Sequence, residues 1–411
     1  MSAALVRPLV LAAVVASLLG ARGAAQTPGD EPVPTLTASA LLDASQRSGP
    51  HFTVAEAVET PGFYHQFTIT SDFGTFNADG RSQVVVRLNE IAALAALQDV
   101  SKTGVFLAAA GNSLVNVGTG VVNAVTSPVD TAKGIGSGIK RFGINLGRRS
   151  KRAIDEMTDE EKKAEDEASK GNAAANVAKA VLGVNSAMRR WAQKVGADPY
   201  TTNPTLRQAL EGVAKVDAAG GIATKLVVPI PAFVGTTADI GNLVWGKDPE
   251  ELRKINEQRA RDIGVGEVAA KALWLSNAYT LTMQTRLIAA LHAVRVPGCA
   301  DYVASAVEAS TDREALFFIE GAEMLQAAHA ESRVTSILAD SRTVVARRPS
   351  GEVVALLPLD WVRYSDTGAA TLREMATRAK EELGATSLRL RVSGQVSERA
   401  QREYATLGWT Q

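Results

Sequence analysis

The order of apolar and polar residues predicts a β element followed by a helix over residues 51–103. Three short runs rich in β-branched and aromatic residues, FTVAEAVE, FYHQFTIT and FGTFNA, are separated by turn residues and predict small antiparallel strands. The apolar residues that follow recur at helical spacing, which predicts a helix from about Ser82 to Lys102. The recurring positions are Val84, Leu88, Ile91, Leu94 and Ala95.

Helical patterns then resume over residues 172–335, for which we predict a helical domain. Asp248 followed by Pro249 is typical of a helix start, because aspartate caps the first turn and proline fits the first helical position. Thr311 and Glu314 have the spacing of a capping box, which predicts another helix after them.

Strands and helices alternate over residues 336–411, which predicts a small α/β module. TVVARR and EVVALLPL flank a Pro-Ser-Gly turn and predict a β-hairpin, and SLRLRV predicts a later strand between two helices. The fold class expected for the whole chain is therefore α+β and mostly helical, with a small N-terminal antiparallel β element, a helical middle and this module last.

The first fifty residues predict export. Arg7, an apolar run and the small residues before Gln26 are typical of a signal peptide over residues 1–25. Residues 26–50 contain prolines and hydroxyl residues without periodicity, which predicts a disordered or extended leader. The expected location is the periplasm or the cell envelope.

Composition narrows the possible partners and chemistry. Lys and Arg number 44, and Asp and Glu also number 44, so the chain has no net positive field that would favour nucleic acid. The four histidines lack zinc-ligand spacing, and neither GxSxG nor a phosphate-binding glycine motif in its proper context occurs. We expect no catalytic residue, cofactor or metal, and the sequence favours a non-enzymatic protein.

Individual residues of interest have structural interpretations. His65 is expected to be exposed on a strand, His292 and His329 to be bonded core histidines, and Cys299 to be a buried thiol. An enzyme remains an alternative, and its site would lie in the C-terminal module. The candidates there are Asp360, Asp366 and Ser393-Gly394, because ligands of α/β sheets bind at the carboxyl ends of strands.

The most distinctive region, residues 104–152, joins an uncharged run to a basic, glycine-rich run. On a helix the polar residues of the first run form one uncharged stripe. In the second run Ile135, Ile139 and Phe142 share a helical face, and basic residues surround that face. The basic residues expected to meet lipid headgroups are Lys140, Arg141, Arg148 and Arg149. Glycines cost about 1 kcal/mol each in a helix, so the run needs a surface to lie against.

Two interpretations of this amphipathic segment remain open. As a basic amphipathic helix it predicts binding to an anionic membrane surface, which makes the chain a non-enzymatic, membrane-associated envelope protein. As a buried helical hairpin it predicts a soluble periplasmic scaffold for a partner protein. Residues 153–171, which are dense in charge, predict a linker after it.

Several stretches together resemble a family of uncharacterised secreted proteins, found mainly in proteobacteria. They are FTITSDFGTF, SPVDTAKGIGSGIKRFG, ADPYTTNPTLRQAL, GKDPEELRKINEQR and VSGQVSERAQREYATLGW. The resemblance covers most of the mature chain and implies secretion, but no activity, ligand or catalytic residue. The stretch TSPVDTAKGIGSGIKRFG is also similar to glycine-punctuated amphipathic segments near the C-termini of bridge-like lipid-transfer proteins.

Overall fold

The computed structural model describes residues 29–101, 172–220 and 238–411. Over these residues the protein is α+β and mostly helical, with antiparallel sheets near the N-terminus and a mixed sheet near the C-terminus, so the predicted fold class is confirmed. The predicted signal peptide (1–25), amphipathic segment (104–152) and charged linker (153–171) lie outside the described residues. No helix in the described ranges is long and apolar enough to cross a membrane.

The N-terminal β element contains the strands that the alternating runs predict. Its elements in chain order are β1 (Leu36–Thr37), α1 (Ala38–Leu41), α2 (Ala44–Arg47), β2 (Ser48–Gly49), β3 (Phe52–Val54), β4 (Ala57–Val58), β5 (Gln66–Ser71) and β6 (Gly74–Asp79). Strands β2, β3, β5 and β6 form an antiparallel sheet in that order, and β1 pairs with β4. Phe67 and Ile69 alternate on the buried face of β5, which explains why hydrophobic alternation detected this strand.

Residues 29–50 differ from the disordered leader that we predicted over 26–50. Leu36 pairs with Val58 across the β1–β4 ladder, and Ala38 and Leu42 are buried in the same small core as Phe67. Further along the fold, the backbone N–H of Glu31 donates to the carbonyl of Tyr364 at 3.0 Å. These residues are ordered by partners distant in the sequence, which local composition cannot reveal.

The helices of the described ranges begin with α3 (Arg81–Ser101), close to the predicted helix from Ser82. The others are α4 (Asn172–Lys194), α5 (Pro204–Gly220), α6 (Ala238–Gly246), α7 (Pro249–Asp262), α8 (Glu267–Trp274), α9 (Leu281–Val294), α10 (Cys299–Ala306) and α11 (Asp312–Glu331). Both predicted N-caps are present, since Asp248 accepts from the N–H of Glu251 at 2.9 Å and Thr311 from that of Glu314 at 3.2 Å. The Glu314 carboxylate accepts from the N–H of Ser310 at 2.7 Å in place of that of Thr311, so only half of the predicted capping box forms.

The C-terminal region forms the predicted mixture of strands and helices. Its elements are β7 (Ser336–Ile337), β8 (Val344–Arg347), β9 (Glu352–Leu357), β10 (Trp361–Val362), α12 (Asp366–Leu383), β11 (Ser387–Val392), β12 (Gln395–Val396), α13 (Glu398–Thr406) and β13 (Trp409–Thr410). The main sheet has the order β13-β11-β9-β8-β7. The predicted hairpin is β8–β9, and β9 runs parallel to β11.

The chain divides into two compact units whose limits differ from the predicted domains. Of the described residues, one unit comprises 29–92, 200–202 and 238–411, and the other comprises 93–101, 172–199 and 203–220. The predicted boundary between a helical domain (172–335) and a C-terminal module (336–411) is therefore not a unit boundary. A single apolar core includes both Leu287 of α9 and Val354 of β9, because helices α9–α11 and the C-terminal sheet bury their apolar faces together.

Candidate functional site

Two of the predicted site residues, Asp360 and Ser393, lie together at one edge of the C-terminal sheet. Strands β9 and β11 are parallel neighbours, so the residues that follow them meet at the same edge. The Ser393 N–H donates to the Leu357 carbonyl at 3.0 Å, and the Ser393 hydroxyl donates to the Leu359 carbonyl at 3.0 Å. Gly394 is needed beside them, because a Cβ at this position would lie 2.0 Å from the Asp360 carbonyl oxygen.

A pocket of about 700 Å³ opens at this edge. Asp360 and Ser393 line it together with residues from the start of α3 and from the middle of α11. The polar and charged side chains of the lining that matter for the bonding described below are Tyr64, Arg81, Ser82, Glu320, Glu323 and Asp360. Of the candidates predicted near the strand ends, Asp360 and Ser393 line this pocket, and α11 supplies the acids Glu320 and Glu323.

Asp360 is a buried carboxylate that joins the C-terminal sheet to the N-terminal β element. It is 8% exposed, and its Oδ2 accepts from the backbone N–H groups of His65 at 3.2 Å and Arg81 at 3.3 Å. The Arg81 Nε lies 3.8 Å from Oδ1. Burial raises the pKa of Asp360, and the hydrogen bonds and the charge of Arg81 offset only part of that increase.

Arg313 occupies the centre of the network. Its guanidinium carbon lies 4.0 Å from the centroid of the Tyr64 ring. One terminal nitrogen donates to the Asp79 carbonyl at 3.0 Å, and the other donates to Glu320 at 2.7 Å. Burial opposes the charge of Arg313, but the negative groups around it outweigh burial and raise its pKa. Burial also raises the pKa of Tyr64 far above its ordinary value, so that Tyr64 is a neutral hydrogen-bond donor to the Pro358 carbonyl.

The two acids that α11 contributes to the pocket are also paired. The Ser82 hydroxyl donates to Glu320 at 2.7 Å, and Arg286 makes a bidentate ion pair with Glu323 at 2.8 and 2.9 Å. No group of three or more potential ligands that could hold a metal occurs among the described residues. Because these acids and hydroxyls are already bonded within the protein, the arrangement is suited to holding the helices, the sheet and the β element together.

His65 was expected to be exposed, and the structure corrects this. It is 1% exposed, and its Nδ1 lies 2.8 Å from the Thr60 hydroxyl oxygen. Burial, with a smaller contribution from the charge of Arg81, lowers the pKa of His65 to about 4. The residue is covered because its backbone meets Asp360 and Gly80, contacts that a strand pattern does not reveal.

The other predicted residues lie away from this pocket. Asp366 begins α12, where it accepts from the Tyr364 hydroxyl at 3.1 Å. His292 lies 3.1 Å from Asp262, and His329 accepts from the Val334 N–H at 3.2 Å, so both histidines are bonded and partly buried. Cys299 is buried, as predicted.

Sequence reasoning missed the residues that build most of the network, namely Tyr64, Arg81, Arg286, Arg313, Glu320 and Glu323. Their only sequence signal is the spacing of Arg313 and Glu320, which are two turns apart on α11. The lipid-binding residues that we predicted (Lys140, Arg141, Arg148, Arg149, Ile135, Ile139 and Phe142) lie outside the described residues.

Comparison of the chain with protein-family models, with curated proteins and with solved structures finds no match.

Proposed function

We propose that this chain is an exported, non-enzymatic envelope protein that associates with anionic membrane surfaces through residues 104–152. The observation that carries the proposal is the pattern of the basic run. Ile135, Ile139 and Phe142 share a helical face, and basic residues border it. Apolar burial and attraction to anionic headgroups act together on such a segment, and each basic residue contributes about 1 kcal/mol near the surface.

The burial of apolar side chains elsewhere supports this assignment. Among the described residues, only Val33, Val268 and Leu275 are large apolar side chains that are exposed. Val33 precedes β1, and Val268 and Leu275 lie at the first turn and at the C-cap of α8. So few exposed apolar side chains are ordinary on soluble surfaces. In this proposal the apolar groups that enter the bilayer come from residues 104–152.

The network around Asp360 and Arg313 favours a structural role over catalysis at that site. A general base or nucleophile needs an atom that can reach a substrate, whereas the Asp360 carboxylate and the Ser393 hydroxyl are engaged by the protein itself. An enzyme with a site in the C-terminal module remains the third candidate. The second is a soluble scaffold with 104–152 buried as a helical hairpin.

The membrane proposal is tested by co-sedimentation of mature protein (residues 26–411) with liposomes. Vesicles of phosphatidylcholine alone are compared with vesicles that contain phosphatidylglycerol. We expect binding only with the anionic lipid, and a loss of roughly a hundredfold or more when Lys140, Arg141, Arg148 and Arg149 become glutamine. Absent binding, or binding that the fourfold variant leaves unchanged, refutes the membrane proposal.

A matched control removes the same amount of charge elsewhere. Arg253, Lys254, Lys271 and Arg402 are exposed and lie outside the segment, so their change to glutamine should leave the binding intact. Equal losses in both fourfold variants would show that net charge, and not the segment, attracts the protein to the vesicles.

Export is tested separately. Expressed with its full N-terminus in a Gram-negative host, the protein should appear in the periplasmic fraction with a mass that corresponds to a chain beginning at Gln26. A cytoplasmic protein that retains residues 1–25 would contradict the export part of the proposal.

A further inference from the structure

A second pocket lies among four helices and has a different character from the one around Asp360. Helices α6, α7, α9 and α11 line an open pocket of about 770 Å³, a volume in the usual range for small-molecule sites. Its walls are largely aliphatic. They include Ile240, Leu243, Ala289, Ala290, Ala293 and Ala327. The alanines of α9 and α11 leave room for an extended apolar group, because larger side chains at these positions would fill the space.

Most of the charged groups that line this pocket are paired. Arg286 is bound to Glu323 through two hydrogen bonds, and His292 lies 3.1 Å from Asp262. Asp239, at the start of α6, is exposed. The guanidinium of Arg259, however, forms no hydrogen bond or ion pair with any described residue, and its Nη1 is buried from water.

Arg259 therefore lines the pocket without a hydrogen-bond acceptor for its buried Nη1 atom. Burial lowers the pKa of Arg259, and no nearby carboxylate opposes that effect. A buried charge without a partner is costly, whereas a guanidinium paired with a carboxylate through two parallel hydrogen bonds is among the most stable charged arrangements in proteins. The missing group is therefore an anion, and the shape and planarity of the guanidinium suit a carboxylate.

We propose that this cavity, the Arg259 pocket, binds a single-chain apolar carboxylate such as a medium-chain fatty acid. The carboxylate would accept hydrogen bonds from the Arg259 guanidinium, and the chain would lie against the alanines of α9 and α11. The site belongs to the described fold and does not depend on membrane binding by residues 104–152.

The experiment is isothermal titration of mature protein (residues 26–411) with three ten-carbon probes below their micelle concentrations. Decanoate carries the carboxylate, decanol carries no charge, and decyltrimethylammonium carries the opposite charge. We expect decanoate to bind at least about tenfold more tightly than the other two. Failure of decanoate to bind, or equal binding of decanoate and decanol, overturns the proposal.

Variants locate the binding. Arg259→Met keeps a long apolar side chain and should weaken decanoate binding by at least about tenfold, whereas Arg253→Met, an exposed position on the same helix, should leave it unchanged. Ala293→Phe keeps Arg259 but adds bulk at an exposed position of the pocket wall, and it should also abolish binding. Unchanged binding in Arg259→Met contradicts the assignment.

A stability measurement separates loss of the site from misfolding. Without ligand, Arg259→Met should unfold at the same or a higher temperature than the parent protein, because it removes a partly buried charge that has no partner. In the parent protein decanoate should raise the unfolding temperature, and in Arg259→Met this increase should disappear. A decanoate effect of equal size in both proteins would overturn the proposal.

Discussion

The guanidinium of Arg313 stacks on the ring of Tyr64, with 4.0 Å between its Cζ atom and the ring centroid. Arg313 also donates hydrogen bonds to Asp79 and Glu320, so one side chain of α11 is joined to both the N-terminal β element and its own helix. The pair lies inside the network that includes Asp360. Its surroundings are buried, and removing a charge there has larger consequences than at the surface.

We expect Arg313→Met to destabilise the unit that contains it by about 3 kcal/mol, because the change leaves Glu320 without its ion-pair partner and Tyr64 without its cation. The loss of stability is measured by urea denaturation, with circular dichroism as the signal of unfolding. Arg402→Met is the matched control, since Arg402 forms only a distant, exposed pair with Glu398 at 3.8 Å. Equal denaturation midpoints for the two variants would contradict the central role of Arg313.

His65 should make stability depend on pH. Its pKa in the folded protein is about 4, below its ordinary value of 6.5, so the unfolded chain binds a proton at higher pH than the folded one. Stability should therefore be full above about pH 6.5 and fall as the pH decreases towards 4, by about 3 kcal/mol in total. Urea denaturation at several pH values measures it.

His65→Gln supplies the control for this pH dependence. The glutamine does not titrate and keeps a polar group near the Thr60 hydroxyl. The decrease between pH 6.5 and 4 should therefore be smaller in the variant by most of the predicted amount. Parallel curves for the two proteins would show that other groups cause the acid sensitivity.

Asp360 should be needed mainly as a hydrogen-bond acceptor. Asp360→Ala leaves the buried N–H groups of His65 and Arg81 without their acceptor, which should cost about 2–4 kcal/mol. Asp360→Asn keeps a carbonyl oxygen at the site and avoids burying a carboxylate, so it should cost much less. Thermal and urea unfolding compare the two, and an equal loss in both variants would favour the ion pair with Arg81 as the important interaction.

Gly394 should not tolerate a side chain. A Cβ there would meet the Asp360 carbonyl oxygen at 2.0 Å, a backbone atom that cannot move aside cheaply. We expect Gly394→Ala to lower the stability by at least about 2 kcal/mol. At Gly246, the last residue of α6, an added Cβ meets nothing within 4 Å, so Gly246→Ala should leave thermal unfolding unchanged or slightly improved. Similar losses at both positions would contradict this explanation.

The candidate site was predictable only in its location. Asp360 and Ser393 follow strands that the sequence identifies, and the rule for parallel strands brings them to one edge. The groups that surround them come from α3 and α11, and no local pattern predicts that Ser82 and Glu320 bond to each other. The prediction that His65 is exposed was wrong for the same reason. His65 is buried partly by Asp360, which lies far along the chain.

The local elements follow from the sequence alone, because their causes are local. The cap of Asp248 on α7 and the alternation of Leu388 and Leu390 in β11 depend on neighbouring residues alone. Long-range packing, in contrast, sets which elements share a core and why residues 29–50 are ordered. It also sets which groups bond Asp360 and leaves the Arg259 guanidinium without a hydrogen bond to any described residue. These properties arise because segments that are distant in the sequence pack together and exclude water. The free energy of a charged side chain buried between them depends on which polar or charged groups lie beside it.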